Sequence, residues 1–159
     1  MPITITTRPI MAADEPLVQA IYYTTREPEL ALLAWSAEQK ADFVAMQFQA
    51  QQQDYQRRFP QADYDLIVVE DEPVGYLYVM RGDQEMRLLD IALAPAWRNQ
   101  GIGTAMLRQL MAEATRTQRP LSYMVLRFNE AALRLYQRLG FQKAGEYGHH
   151  YLMVHKGLS

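Results

Sequence analysis

Arg87–Thr104 reads RLLDIALAPAWRNQGIGT, and this stretch changes character halfway along. Leu88, Leu89, Ile91, Ala92 and Leu93 form a near-continuous apolar run, broken by Asp90 and closed by Pro95. Such a run predicts a strand covered on both faces. Beyond Pro95 the stretch turns into a helix. Gly101 and Gly103 carry no Cβ, so the backbone there can curve tightly and approach a ligand closely. The first N–H groups of the helix have no acceptor within it, and the helix dipole adds partial positive charge. Arg98 places a full positive charge beside them. Arg98, Asn99, Gln100, Gly101, Ile102, Gly103 and Thr104 therefore form an anion cradle suited to a phosphate or pyrophosphate.

Working outward, the chain upstream supplies one strand, two helices and two more strands. Ile3 to Ile10 alternates apolar and polar residues and predicts an opening strand. Asp14 is placed to cap a helix that starts with Glu15 and Pro16, buries Leu17, Val18 and Ile21, and is interrupted by Pro28. Trp35 precedes a second helix whose Ser36 and Gln39 form a capping box and which closes at Phe59-Pro60. Its apolar stripe mixes aromatics with the amides Gln47 and Gln51, either as flanks of a core or as the wall of a pocket. Leu66–Glu70 and Val74–Met80 read as strands joined by Asp71-Glu72-Pro73, with Gly75 marking a bulge. Arg81-Gly82-Asp83 then turns the chain into the central strand from Glu85.

Downstream, Ile102, Met106, Leu110 and Ala114 share one helical face. Pro120 introduces a strand, Leu121–Leu126, and a strand–helix–strand crossover implies that it runs parallel to the strand around Ile91. Asn129 caps a last helix in which Leu135 and Leu139 face inward, and Gly140 ends it as a left-handed cap. Phe141–Glu146 and His150–His155 close the sheet.

A chain of 159 residues predicts one domain, 1–159, with room for a sizeable core. With 49% hydrophobic and 21% charged residues and a net charge of −2, it reads as a globular protein without the basic footprint of a nucleic-acid binder. The absence of cysteine rules out disulfides, thiolate metal sites and a thiol nucleophile, and fits a cytoplasmic location. No apolar run approaches the ~20 residues of a membrane span. His149, His150 and His155 fall on one short segment, which suits a surface or pocket role better than a metal site.

The cradle itself narrows the choice. A P-loop needs Lys-Ser/Thr after its last glycine, and none follows Gly103. A dinucleotide fingerprint needs Gly or Ala where Met106 stands. What remains is Arg-x-x-Gly-x-Gly after a strand, or a glycine-rich turn with no ligand. A second motif lies about thirty residues on: Asn129, Ala132, Tyr136 and Leu139-Gly140-Phe141. The two together resemble the acyl-CoA signatures of the GCN5-related N-acetyltransferases, the GNAT family, and the order of elements from Ile3 to His155 agrees.

The resemblance implies an α+β, sandwich-like fold: a mixed, mostly antiparallel sheet of about seven strands flanked by four helices, with a splayed parallel pair in the middle. It implies acetyl-CoA as cosubstrate and no metal. The pantetheine arm would lie along Ile91, Ala92 and Leu93, the pyrophosphate on residues 98–104, and Asn129 and Ala132 along the same arm. A tyrosine in the place of Tyr136 often protonates the departing thiolate. Histone-type relatives keep a glutamate where this chain has Arg87, so their base does not carry over. In polyamine-type relatives an acidic residue at the position of Asp90 faces the substrate amine.

The chemistry asks for the same parts. An amine attacking a thioester builds charge on the carbonyl oxygen, which a backbone N–H near Leu93 is placed to stabilise. The amine must lose a proton. Asp90 and, on the opposite face near the strand's start, Glu85 are the carboxylate candidates for that task. No covalent enzyme intermediate is needed. The acceptor pocket is expected from Tyr22, Tyr23, Trp35, Gln47, Phe48, Gln51, Tyr55, Tyr147, His149 and Tyr151, whose aromatics and amides suit a small amine or amino acid. The alternatives are a CoA-binding sensor without turnover and a peptide N-terminal acetyltransferase. Homodimers are common in this family, and the closing strands are able to pair between chains.

Overall fold

The computed structural model describes residues 4–156. Four helices, α1 (Glu15–Leu30), α2 (Ala37–Arg58), α3 (Ile102–Arg116) and α4 (Glu130–Arg138), accompany seven strands. The strands are β1 (Ile5–Pro9), β2 (Asp63–Val69), β3 (Glu72–Arg81), β4 (Met86–Leu93), β5 (Leu121–Leu126), β6 (Gln142–Tyr147) and β7 (His150–His155). They form one mixed sheet in the order β1-β2-β3-β4-β5-β7-β6. Only β4 and β5 are recorded as parallel among the described pairings, as the crossover through α3 requires.

Two compact units share this sheet. The first runs to Tyr78 and takes in Asp90–Gly103. Its core joins Val18, Ile21, Tyr22 and Leu30 of α1 to Val44 and Phe48 of α2, Leu66 and Val68 of β2, Tyr76 of β3 and Ala92 of β4. The second comprises Val79–Leu89 and the chain from Thr104 onward. It buries Met106, Leu107, Leu110 and Ala114 of α3, Leu121 and Val125 of β5, Tyr136, Phe141 and Met153. In it Arg81 donates twice to the Glu113 carboxylate, at 2.6 and 3.0 Å, and Arg119 donates to the Gly82 carbonyl at 2.8 Å. These bonds fasten α3 to the β3–β4 turn.

Local sequence signals explain most boundaries. The Ser36–Gln39 capping box is present in both directions, at 3.1 and 2.9 Å. Asn129 Oδ1 accepts from Ala132 N at 3.1 Å, and Gly140, at φ 100°, turns the chain out of α4. Other expectations need correcting. The expected opening strand includes Ile3, which lies outside the described residues; β1 begins at Ile5. Asp14 does not cap α1 with its side chain. Its carboxylate instead accepts from Met11 N and pairs with Arg8, closing the 3-10 turn that precedes the helix. α1 continues through Pro28 to Leu30, although Pro28 lacks the N–H that would donate to Thr24 O and its ring crowds that carbonyl.

The β2–β3 turn is Glu70-Asp71, one residue earlier than Asp71-Glu72-Pro73. Both residues have positive φ, 50° and 70°, the sense that matches strand twist in a two-residue hairpin. Gly75 has a different physical reason from the expected bulge. A Cβ there would stand 2.3 Å from the Ala92 carbonyl oxygen, so β3 and β4 approach too closely for a side chain. In α4 the buried residue is Tyr136, with Leu135 and Leu139 only partly covered. The Tyr136 ring packs edge-on against Tyr123 and Phe141, which draws that side of the helix inward.

Candidate active site

The turn that leads into α3 takes its shape from its residue types. Ala94 N donates to Val74 O at 2.8 Å, and a 3-10 turn, Pro95–Trp97, leads to Arg98 in extended conformation. Asn99 has φ 61° and Gly101 φ 82°, so the chain passes twice through the left-handed region before α3 begins. A Cβ on Gly101 would meet nothing within 4 Å, so its backbone angle, and not lack of room, calls for glycine. A Cβ on Gly103 would touch only Leu93 Cδ1, at 3.9 Å. The first N–H groups of α3 thus stand at an uncluttered turn, the arrangement that accepts an anion.

Arg98 is committed in a way its sequence position does not reveal. Its Nε donates to the Leu93 carbonyl at 3.0 Å and its Nη2 to Thr24 Oγ1 at 2.7 Å. The guanidinium therefore ties α1 to the end of β4. Two of its three nitrogens hold protein atoms beside the cradle, where the sequence suggested a charge kept for phosphate.

The end of β4 presents one backbone donor in a defined direction. The Ala92 carbonyl points at Gly75 on β3. A peptide unit is planar and trans, so the Leu93 N–H in that same unit points away from β3. The parallel register with β5 covers Met86, Arg87 and Leu88, opposite Leu121, Ser122 and Tyr123. Leu93 lies five residues past its end. Ile91 N–H, two peptide units earlier, is turned to the Asp90 carboxylate.

Asp90 is the chemical centre of the first unit. Tyr76 Oη donates to its Oδ2 at 3.2 Å. Tyr64 stacks on Tyr78 at 4.3 Å and meets Tyr76 edge-on at 6.2 Å, while Tyr55 meets Tyr78 edge-on at 5.1 Å. Gln51 Nε2 donates to Tyr55 Oη at 3.3 Å, and Gln51 Oε1 is buried without a partner. Burial pushes the Asp90 carboxyl up to about 6, against the opposing pull of the Tyr76 hydroxyl, the Ile91 amide and the Arg26 charge. Burial and the Asp90 charge together push the Tyr55, Tyr64 and Tyr76 hydroxyls well above the usual phenol range, so all three stay protonated. A carboxylate poised near neutrality and held by the Tyr76 hydroxyl suits proton abstraction from an amine.

Of the expected acceptor residues, the structure places Tyr22, Phe48, Gln51 and Tyr55 in this unit's core or around Asp90. Tyr22 and Phe48 are 5.2 Å apart, and Tyr23 packs against the same core. Gln47 is partly exposed on α2. Trp35 is 40% exposed, with its edge on Phe43. Tyr147, His149 and Tyr151 belong to the second unit, where Lys143 stands 4.2 Å over the Tyr151 ring and Phe128 flanks His149. Glu85 also belongs there, before β4 begins, with Arg87 at 3.9 Å. Asn129 and Ala132 are joined by the α4 cap, and Tyr136 is buried among aromatics.

Sequence reading missed Tyr64, Tyr76, Tyr78 and Arg26. The Tyr-Leu-Tyr alternation at 76–78, which puts two rings on one face of a strand, was the available signal.

A family model described as an acetyltransferase (GNAT) domain matches residues 62–143, just over half of the chain. The chain belongs to the GNAT acetyltransferase family. Solved GNAT structures share the fold across nearly the whole length. A PaiA N-acetyltransferase from Thermoplasma acidophilum, in complex with coenzyme A, is 14% identical with a TM-score of 0.72, over 96% of this chain and 99% of that one. A GNAT acetyltransferase from Elizabethkingia anophelis with acetyl-CoA bound is 18% identical with a TM-score of 0.60, over 96% and 97%. The ribosomal-protein-S18-alanine N-acetyltransferase from Escherichia coli is 21% identical with a TM-score of 0.59, over 95% and 91%. The seven-stranded mixed sheet with its parallel β4–β5 pair is the GNAT arrangement.

Proposed function

We propose that this GNAT protein moves an acetyl group from acetyl-CoA directly to the amine of a small acceptor, and that its two units work as one catalytic domain. The observation that carries the reading is Asp90. It is a carboxylate raised to about 6, on the strand whose Leu93 N–H points away from β3 and whose continuation is the anion cradle. The cradle fits a pyrophosphate, because its helix N–H groups are directional and no side chain crowds Gly101. Coenzyme A supplies the activated acyl carbonyl in this reaction.

The chain's own groups then have separate tasks. Asp90 takes the proton of the acceptor ammonium, held in place by Tyr76. Leu93 N–H faces the developing oxyanion. Tyr136 supplies a proton to the leaving sulfur, a role that rests on the family motif and on its buried place in α4. Residues 99–104 hold the diphosphate, and Arg98 keeps the Leu93 peptide in position. Holding both substrates in register supplies much of the acceleration.

The test is acetyl-CoA with a panel of amines, read as free thiol. Thiol release that depends on the amine, and that is lost in Asp90→Asn, supports the reading. Tight coenzyme binding without thiol release on any amine would make the protein a sensor. Release only with peptides bearing a free N-terminus would favour the S18-alanine type of acceptor that one neighbour's name describes.

A further inference from the structure

Leu93 is held on both sides by groups that turn its amide one way. The carbonyl before it, that of Ala92, lies against Gly75, and the N–H after it, that of Ala94, donates to Val74 O at 2.8 Å. Both of these groups face β3. In planar trans peptides the Leu93 N–H and the Leu93 carbonyl then both face away from β3, along the same edge of the strand.

That edge carries a cation. Arg98 Nε donates to Leu93 O at 3.0 Å, and Nη2 donates to Thr24 Oγ1 at 2.7 Å. Nε and Nη2 form one edge of the planar guanidinium, so two bonds along that edge set its plane as well as its place. Thr24 is fixed in turn. Its hydroxyl donates to Ile21 O, one turn earlier in α1, at 2.6 Å, which leaves the oxygen's lone pairs for Arg98. All four residues belong to the first unit.

A guanidinium kept for phosphate would be aimed at the cradle. This one is aimed at the residue whose N–H is proposed to meet the oxyanion. Holding the Leu93 carbonyl restrains the backbone angles of Leu93, and through them the peptide plane that carries its N–H. Such a donor helps only when it is aimed before the charge develops. A misplacement of about 1 Å can cost roughly 10²-fold in rate.

We infer that Thr24 is a positioning residue: through Arg98 it sets the direction of the Leu93 amide, so the fork serves acyl transfer and not the diphosphate. The inference rests on the transferase reading above and adds to it a residue of α1.

The experiment compares wild type with Thr24→Val, which removes the hydroxyl, and Thr24→Ser, which keeps it. It measures kcat, the acceptor KM and the Kd for acetyl-CoA, and follows the Leu93 amide by NMR in the coenzyme-free protein. Thr24→Val should lower kcat by about 10-fold, less than the roughly 10²–10³-fold of removing an oxyanion donor outright, with the Kd for acetyl-CoA unchanged. Its Leu93 amide signal should shift and broaden. Thr24→Ser should restore both kcat and the signal. Wild-type kcat and a wild-type Leu93 signal in Thr24→Val would overturn the inference. So would a Kd for acetyl-CoA that rises as much as kcat falls, which would make Arg98 a phosphate ligand, or a Thr24→Ser no better than Thr24→Val at the same melting temperature. Absence of thiol release by wild type with any amine would defeat the transferase reading, and the Leu93 signal would still decide whether Thr24 sets that amide.

Discussion

Asp90 and Glu113 are both largely covered carboxylates, one in each unit, and their environments push them in opposite directions. Glu113 accepts two hydrogen bonds from Arg81 and has Arg119 nearby, and these hold its carboxyl below the usual range. Asp90 has one tyrosine hydroxyl, a backbone amide and a more remote arginine, and burial wins. A depressed carboxyl strengthens the fold at neutral pH, and a raised one weakens it. The second unit spends its charged groups on holding α3 in place. The first unit retains an underpartnered charge where chemistry is proposed; buried, unpaired polar atoms occur in both units, Gln51 Oε1 and Arg26 Nε in the first and Arg127 Nε in the second. An underpartnered, buried carboxylate is what a catalytic site costs a fold.

Removing the charge at Asp90 should break the contrast most sharply. Asp90→Asn is expected to lower turnover by roughly 10²–10⁴-fold, the range of a lost general base. It should also stabilise the protein above pH 6 by up to about 3 kcal/mol, because the folded carboxyl near 6 lies above its unfolded value. That gain should shrink as pH falls through 6 and vanish below about 4, where both states are protonated. Urea unfolding at several pH values reads this directly, and a variant less stable than wild type at pH 7 would show that the Asp90 charge supports the fold.

Gly75→Ala attacks the same unit through the backbone. Its Cβ would collide with the Ala92 carbonyl, so a loss of about 2–3 kcal/mol is expected. Because Ala92 and Leu93 share a peptide unit, turnover per folded molecule should fall too. Unchanged kcat in the folded fraction would remove the Leu93 N–H from the mechanism.

Tyr136→Phe tests the proposed proton donor from the second unit. Turnover should drop by about 10-fold, with the Kd for acetyl-CoA changed far less. Equal losses in both would make Tyr136 a packing residue.

Glu113→Ala should have the smallest effect, a destabilisation of about 1–2 kcal/mol with kcat unaltered. Glu113 strengthens the fold above its unfolded pKa, 4.5, and that contribution fades as pH falls through its lower folded value. The destabilisation measured by thermal unfolding should therefore fade on acidification, opposite in sense to the effect at Asp90.

Much of this was legible in the chain before any coordinates, and the legible part was local. Ser36 with Gln39, Asn129 with Ala132, Gly101 at a positive φ and the apolar strand leading into the cradle each depend on residues a few positions apart. Backbone sterics, capping and periodicity act over that range, so they determine the elements, the crossover and the family. Turn registers were less secure, because Glu70-Asp71 and Asp71-Glu72-Pro73 are both plausible turns until the strands pair. The surroundings of Asp90 were not legible. Tyr76 comes from fourteen residues away, Arg26 and Tyr55 from two separate helices, and Thr24 meets Arg98 across seventy-four positions. Sequence alone determined the glycine turn that leads into α3 and which strand carries the carboxylate. Only the tertiary packing decided which charges face that carboxylate, because desolvation and Coulomb interaction depend on distance in space.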